Sequence, residues 1–285
     1  MCVECGCGSS GKMPAKEHKG IAFSHRHAHG NDDTAPSKAT PSGGTTGEDR
    51  RFSVEREILG RNNRLAEDNR AFFKEHGIIA LNILSAPGSG KTTLLEQTIL
   101  SLGGSLPLAV IEGDQETSRD ADRIRSLGVP AVQVNTNAGC HLDAHQIAHS
   151  LEELSLSPGM LLIIENIGNL VCPALFDLGE TSRVVLFSVT EGEDKPLKYP
   201  QIFRGADLVL LTKSDLLPHL DFDTAKAMNY LRSVNPSGEI LPLSARSGEG
   251  MDRWVAWISA QREGAGAMSE SPTRSGEAHG TPSGG

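Results

Sequence analysis

The segment Ser85-Ala-Pro-Gly-Ser-Gly-Lys-Thr-Thr93, set between an apolar run and a helical stretch, constrains this chain most. Gly88 and Gly90 let the backbone turn its amides inward. Those amides, with the N-terminus of a following helix, make a cradle for an anionic phosphate chain. Residues 79–84 are the strand candidate, and the helix begins near Thr92. Lys91 is placed to reach the β- and γ-phosphates and Thr92 to set its hydroxyl on Mg²⁺. Gly88, Ser89, Gly90, Lys91, Thr92 and Thr93 are therefore the phosphate-contacting candidates. The pattern usually begins with glycine, and here that place is held by Ser85.

The rest of the chain repeats the strand–helix alternation. Apolar runs at 78–84, 106–111, 129–134, 160–164, 183–189, 207–212 and 239–243 read as buried parallel strands. Helical stretches lie near 92–101, 117–127, 142–154, 223–234 and 250–262. Alternation of this kind gives a mostly parallel sheet flanked by helices on both faces, with ligands at the carboxyl ends of the strands. The expected fold is α/β, a P-loop NTPase. Aromatics are only 4% of residues, so its core must rest on Leu, Ile, Val and Ala. A further helix is expected over 51–76, with Val54, Ile58, Leu59, Leu65, Phe72 and Phe73 as an apolar stripe and Gly77 ending it. Residues 8–50 and 264–285 are polar and rich in Gly, Ser, Thr and Pro, so both ends read as disordered tails. Three units result: a metal-binding N-terminal segment and histidine-containing tail (1–50), a nucleotide domain (51–263) and a C-terminal tail (264–285).

A formal charge of −9 argues against a general nucleic-acid binder, which would present a basic surface. No apolar run is long enough to span a bilayer, and no signal peptide is visible. The expected location is cytoplasmic, where thiols stay reduced and clustered cysteines signal metal more often than disulfide.

Two loops speak to the base. Thr212-Lys213-Ser214-Asp215 follows a strand and resembles the Asn-Lys-x-Asp motif that reads guanine in GTPases. A carboxylate such as Asp215 accepts from guanine N1 and N2, a donor pair that adenine lacks. Ser244-Ala245-Arg246 resembles the Ser-Ala-Lys loop whose amide meets guanine O6. GTP and GDP are thus the expected nucleotides. Glu112-Gly113-Asp114 and Glu165-Asn166-Ile167-Gly168 close two further strands. Their carboxylates could hold Mg²⁺ directly or through water, or could cap helices or pair with arginine. Thr92 and Asp114 are the Mg²⁺ candidates, Gly168 a γ-phosphate sensor, and Lys91, Thr92 and Asp114 the catalytic candidates.

All five cysteines sit where a metal could use them. Cys2, Cys5 and Cys7 can converge on one ion with a fourth donor such as the α-amino group. Thiolate with amine suits square-planar Ni(II), whereas four thiolates would suit tetrahedral Zn(II). His18, His25, His27 and His29 follow, either a weak metal reservoir or polar low-complexity sequence. Cys140, His141 and Cys172 form a second candidate site near Gly168, the alternative being buried small apolar cysteines. His145 and His149 read better as a solvated helix face, Trp254 and Trp257 as packing, and Lys195 and Lys198 as a solvated loop.

These motifs together resemble the HypB family, the GTPases that insert nickel during [NiFe]-hydrogenase maturation. The marks are Cys-x-x-Cys-Gly-Cys at 2–7, the phosphate loop, Glu-Gly-Asp at 112–114, Gly-Cys-His-Leu-Asp at 139–143 and Glu-Asn-Ile-Gly-Asn-Leu-Val-Cys-Pro at 165–173. The resemblance implies a slow GTPase that dimerises with GTP. It implies a tight Ni²⁺ site at Cys2, Cys5 and Cys7, and a Ni²⁺ or Zn²⁺ site at Cys140, His141 and Cys172. It also implies a HypA-type metallochaperone and a hydrogenase large-subunit precursor as partners. The competing readings are a nickel buffer with a vestigial nucleotide domain, and a urease-type nickel GTPase.

Overall fold

The computed structural model describes residues 21–23, 47–114, 119–136 and 139–269. The seven apolar runs become strands: β1 (Ile79–Ser85), β2 (Leu108–Asp114), β3 (Ala131–Asn135), β4 (Leu161–Glu165), β5 (Ser182–Ser188), β6 (Leu208–Thr212) and β7 (Glu239–Pro242). They pair in parallel as one sheet, in the order β3-β2-β4-β1-β5-β6-β7. From β1 the chain goes to β2 on one side and later crosses to β5 on the other. The carboxyl end of β1 therefore lies where the connections diverge, the usual place for a ligand crevice.

Eight α-helices accompany the strands among the described residues: α1 (Gly47–His76), α2 (Lys91–Leu102), α3 (Arg119–Ser126), α4 (Ala144–Glu153), α5 (Lys195–Lys198), α6 (Pro200–Arg204), α7 (Thr224–Val234) and α8 (Met251–Ser269). Period-two alternation places Ile79, Leu81 and Ile83 in one core with Ile99 of α2, Ile124 of α3 and Trp254 of α8. Ala80 enters the opposite core with Phe73 of α1 and Ile147 and Leu151 of α4. Leu84 joins a third cluster with Phe203 of α6 and Leu231 of α7. Both faces are covered, which is why the strands read as continuous apolar runs. Trp254 is packing, as expected: it is 1% exposed and its indole N–H donates to Thr98 Oγ1 at 2.8 Å.

The first helix needs correction. Gly77, with φ +63°, does end it, but Val54 and Ile58 are 50% and 53% exposed. Phe73 is buried as expected, but the residues that continue its buried edge at helical spacing are Asn62, Ala66 and Asn69. Asn69 Nδ2 donates to Ala144 O at 2.9 Å and Leu178 O at 3.1 Å, while Asn62 Oδ1 accepts from the Ala144 amide at 2.9 Å. These asparagines dock on backbone, a contact an apolar-stripe reading cannot find. Gly179 permits it: a Cβ there would meet Ala66 O at 2.5 Å. Ile21 also reaches the core, its amide donating to Leu156 O at 3.0 Å, and Phe23 packs edge-on against Phe72 at 4.7 Å. Lys195 and Lys198 lie on a short helix, not a loop, and pair with Glu191 at 3.5 Å and Asp194 at 2.7 Å. Residues 47–50 and 264–269, expected in the tails, are helical as the ends of α1 and α8. Beyond these and 21–23, the tails, with Cys2, Cys5, Cys7, His18, His25, His27 and His29, lie outside the described residues.

Candidate nucleotide and metal site

Ser85 ends β1, and the chain then turns through Gly88 (φ +73°) and Gly90 (φ +98°) into α2. Left-handed backbone at both positions is the reason they are glycine. The first turn of α2 carries no acid, so nothing opposes an anion at its positive end. Lys91 Nζ donates to Ser85 Oγ at 2.9 Å, which gives the residue at the usual glycine place a role in holding the lysine over the loop. Burial lowers the Lys91 pKa, and Glu165 leads the carboxylates that oppose that shift. Ser89 Oγ lies 2.7 Å from Ala86 O and 2.8 Å from Glu191 Oε1. Glu191 was invisible from sequence because it arrives from the turn after β5.

Beside the loop is a cavity of about 310 Å³ lined by Gly90, Thr93, Lys213, Asp215, Ser244 and Ala245. Lys213 is the one non-glycine residue with positive φ (60°) among those described. Such backbone costs about 1 kcal/mol and is held by contacts on either side. Lys213 Nζ donates to Gly88 O at 2.7 Å, and Thr212 Oγ1 donates to Ser89 O at 2.9 Å. The unusual threonine therefore ties this segment to the phosphate loop. Ser244 Oγ donates to Asp215 Oδ1 at 2.6 Å, so the two loops singled out in sequence meet.

Two carboxylates sit side by side toward the carboxyl end of the interior strands β2 and β4. Glu112 and Glu165 are register partners on β2 and β4, 3% and 4% exposed. Burial pushes Glu112 up to about 8, with Glu165 the next contribution. Burial likewise pushes Glu165 up to about 7, against the pull of Lys91 and a hydrogen bond from Thr92 Oγ1 at 3.1 Å. One oxygen of each, Glu112 Oε2 and Glu165 Oε2, is buried without a hydrogen-bond partner. Hard oxygen donors left orphaned next to the Thr92 hydroxyl fit a divalent cation of the Mg²⁺ kind. Asp114, half-buried at the end of β2, lies two residues from Glu112. Gly168 packs on the loop, since a Cβ there would meet Pro87 Cα at 3.0 Å.

Cys140, His141 and Cys172 converge, with one ligand atom from each within 4.8 Å of the others. Cys140 Sγ is 3.6 Å from His141 Nδ1, and the His141 ring stacks on Phe176 at 3.7 Å between centroids. Burial raises the Cys140 pKa, reinforced by Cys172, and burial lowers that of His141. Neutral imidazole is the metal-binding form, and a cation would relieve the penalty on thiolates. Adjacent residues reach one centre because they sit ahead of α4, where Asp143 caps the helix through a reciprocal pair with Gln146. Leu142, fully buried, anchors the loop over Gly113: a Cβ at 113 would meet its side chain at 2.8 Å. Asn169 Nδ2 donates to Cys140 O at 3.3 Å, closing the gap to the Cys172 segment. His145 and His149 are half-buried and face each other, Nε2 to Nε2 3.1 Å, so the solvated-face reading does not hold.

Fold and site together define a nucleotide-binding protein of the P-loop class with a thiol–imidazole cluster beside the phosphate loop. The CobW/HypB/UreG nucleotide-binding domain family matches residues 79–242. The hydrogenase maturation factor HypB of Azotobacter vinelandii is 60% identical over 213 residues, 75% of this chain and 70% of that one. The crystal structure of HypB from Archaeoglobus fulgidus superposes with a TM-score of 0.67 at 41% identity, covering 71% of this chain and 99% of that one. HypB from Helicobacter pylori in complex with nickel gives 0.68 at 36% identity, covering 72% and 96%. The chain belongs to the HypB family of hydrogenase maturation factors. Among the described residues, no helix is long and apolar enough to cross a membrane.

Proposed function

We infer that this protein is a GTP-hydrolysing nickel metallochaperone, delivering Ni(II) to a hydrogenase large-subunit precursor. One observation carries the reading. A soft-donor cluster (Cys140, His141, Cys172) is hydrogen-bonded through Asn169 to the chain that follows Glu165, and Glu165 accepts from Thr92 of the phosphate loop. Nickel is the cargo, and two thiols with imidazole suit it or Zn(II). The relative from H. pylori, solved with nickel, supports the choice.

The residues divide the work. Gly88, Ser89, Gly90 and Thr93 cradle phosphate, Lys91 neutralises the β- and γ-oxygens, and Asp215 with Lys213, Ser244 and Ala245 selects guanine. Thr92, with Asp114 and the orphaned oxygens of Glu112 and Glu165, would hold Mg²⁺, which when bound offsets charge on the phosphates. Gly168 senses the γ-phosphate. Positioning and charge stabilisation supply the catalysis, and turnover is slow.

GTP closes a homodimer in this reading. Val171 and Leu175, 51% and 50% exposed on either side of Cys172, supply an apolar flank suited to a second copy. Val54 and Ile58 give α1 an apolar face for a HypA-type partner. Cys2, Cys5 and Cys7 form the tighter nickel site, and the protein works in the cytoplasm, as the unit 51–263 with its two tails. The test is nickel content and oligomeric state with GDP and with a non-hydrolysable GTP analogue. Identical metal binding and mass in both states would overturn the reading.

A further inference from the structure

Asn82 sits in the middle of β1 between Leu81 and Ile83 and is 0% exposed. An apolar residue would suit that place better, since asparagine is a poor strand former and its amide must find partners there. Its partners form a chain. Asn82 Oδ1 accepts from Asn166 Nδ2 at 3.3 Å, and Asn82 Nδ2 donates to Glu180 Oε1 at 3.2 Å. Glu180 also accepts from the Leu178 amide at 2.7 Å and from Arg183 Nε at 2.5 Å. Arg183 then reaches the carbonyls of Ala174, at 3.4 Å, and Phe176, at 3.3 Å.

Both ends of this chain lie at the metal cluster. Phe176 carries the ring stacked on His141, and Ala174 follows Cys172 by two residues. At the other end Asn166 Oδ1 accepts from the Leu142 amide at 3.2 Å, next to His141. Asn166 itself follows Glu165, the partner of Thr92. A shift of residues 165–168 toward a phosphate, or of 172–176 toward a metal, would break at least one buried hydrogen bond unless the other segment moved with it.

We propose that Asn82, Asn166 and Glu180 are positioning residues, a buried amide–carboxylate relay through which the segment Glu165–Gly168 sets the spacing of Cys140 and His141 from Cys172. The proposal rests on the functional reading above, in which nucleotide and metal both bind. The relay has no part in the chemistry and fixes only how strongly one ligand is felt at the other's site.

The experiment uses the full chain, with Cys2→Ser, Cys5→Ser and Cys7→Ser in every sample so that only the second cluster offers thiolates. Ni(II) affinity is measured by chelator competition, with GDP and with a non-hydrolysable GTP analogue. The ratio of the two affinities is the coupling factor, expected for the unaltered relay at about 5–150. Asn82→Leu should bring it within about twofold of one, while nickel affinity without nucleotide, and nucleotide affinity without nickel, stay within about threefold. Glu180→Gln, which keeps an acceptor for Arg183, should give an intermediate ratio. If Asn82→Leu lacks a cooperative unfolding transition, Arg183→Met at the partly exposed end of the relay decides, with the same expectation. An unchanged ratio in the deciding variant overturns the relay. So does a loss of both separate affinities, which would mark a merely structural role. A ratio of one with the relay intact overturns the functional reading as well, and so is distinguishable from failure of the relay alone.

Discussion

The guanine end of the nucleotide pocket and the thiol–imidazole cluster are built in opposite ways. The first is made of short turns that follow β1, β6 and β7, each with its functional residues contiguous in sequence, and its cross-links are single hydrogen bonds such as Ser244 to Asp215. The second gathers Cys140–His141 and Cys172 from segments separated by a strand and a helix, is shaped by Leu142 and Asn169, and is tied to the segment Glu165–Gly168 by the Asn82–Glu180 relay. Local turns make a pocket that tolerates change at a distance. A cluster assembled through buried polar contacts is sensitive to it.

Four substitutions test that contrast. Lys91→Ala removes the cation from the phosphate loop and should lower single-turnover GTP hydrolysis about 10³-fold. Nickel binding without nucleotide should survive it; joint loss would mean the two regions are one structural unit. Cys172→Ser replaces a soft donor with a hard one. It should weaken nickel at the second cluster on the order of 10²-fold by dialysis, with GTP turnover of the metal-free protein retained. Asp215→Asn puts an amide donor where guanine N1–H also donates, so GTP affinity should fall about 30-fold and xanthosine triphosphate should bind better than before. Equal loss for both nucleotides would point to damage to the loop through Ser244.

The smallest effect lies between the regions. Glu112 is held at about 8 by burial, above the ordinary carboxylate range. Its folded form keeps a proton that the unfolded chain releases near pH 4.5. Stability from this residue is therefore fully present below about pH 4.5 and is lost as pH rises through about 8. Glu112→Gln stays neutral, so urea titrations of the nucleotide-free protein should show it gaining on the parent, by up to about 1.4 kcal/mol per pH unit, between about pH 5 and pH 8. A constant difference across that window would mean the carboxyl is ionised throughout.

Reading the sequence reached the nucleotide pocket further than the metal cluster. Glycines at 88 and 90, a lysine, and a carboxylate after an apolar run all announce themselves locally, because the physics is that of one turn. Seven strands were legible for the same reason, since both faces of a parallel sheet are buried. What escaped was polar and remote. Asn62 and Asn69 dock α1 on backbone carbonyls and an amide, where an apolar stripe was expected. Glu191 reaches Ser89 from the turn after β5. Glu112, open in sequence between holding Mg²⁺ and capping a helix or pairing with arginine, lies buried opposite Glu165.

The sequence by itself determined the period of the strands, the turns that need glycine, and the residue types able to hold phosphate, guanine and a soft metal. Those properties belong to single residues and their near neighbours. Only the tertiary structure decided that Cys140, His141 and Cys172 share one centre, that two carboxylates are pressed together beside Thr92, and that an asparagine inside a strand connects them. Each depends on strand order and register, which bring together groups that a linear pattern leaves tens of residues apart.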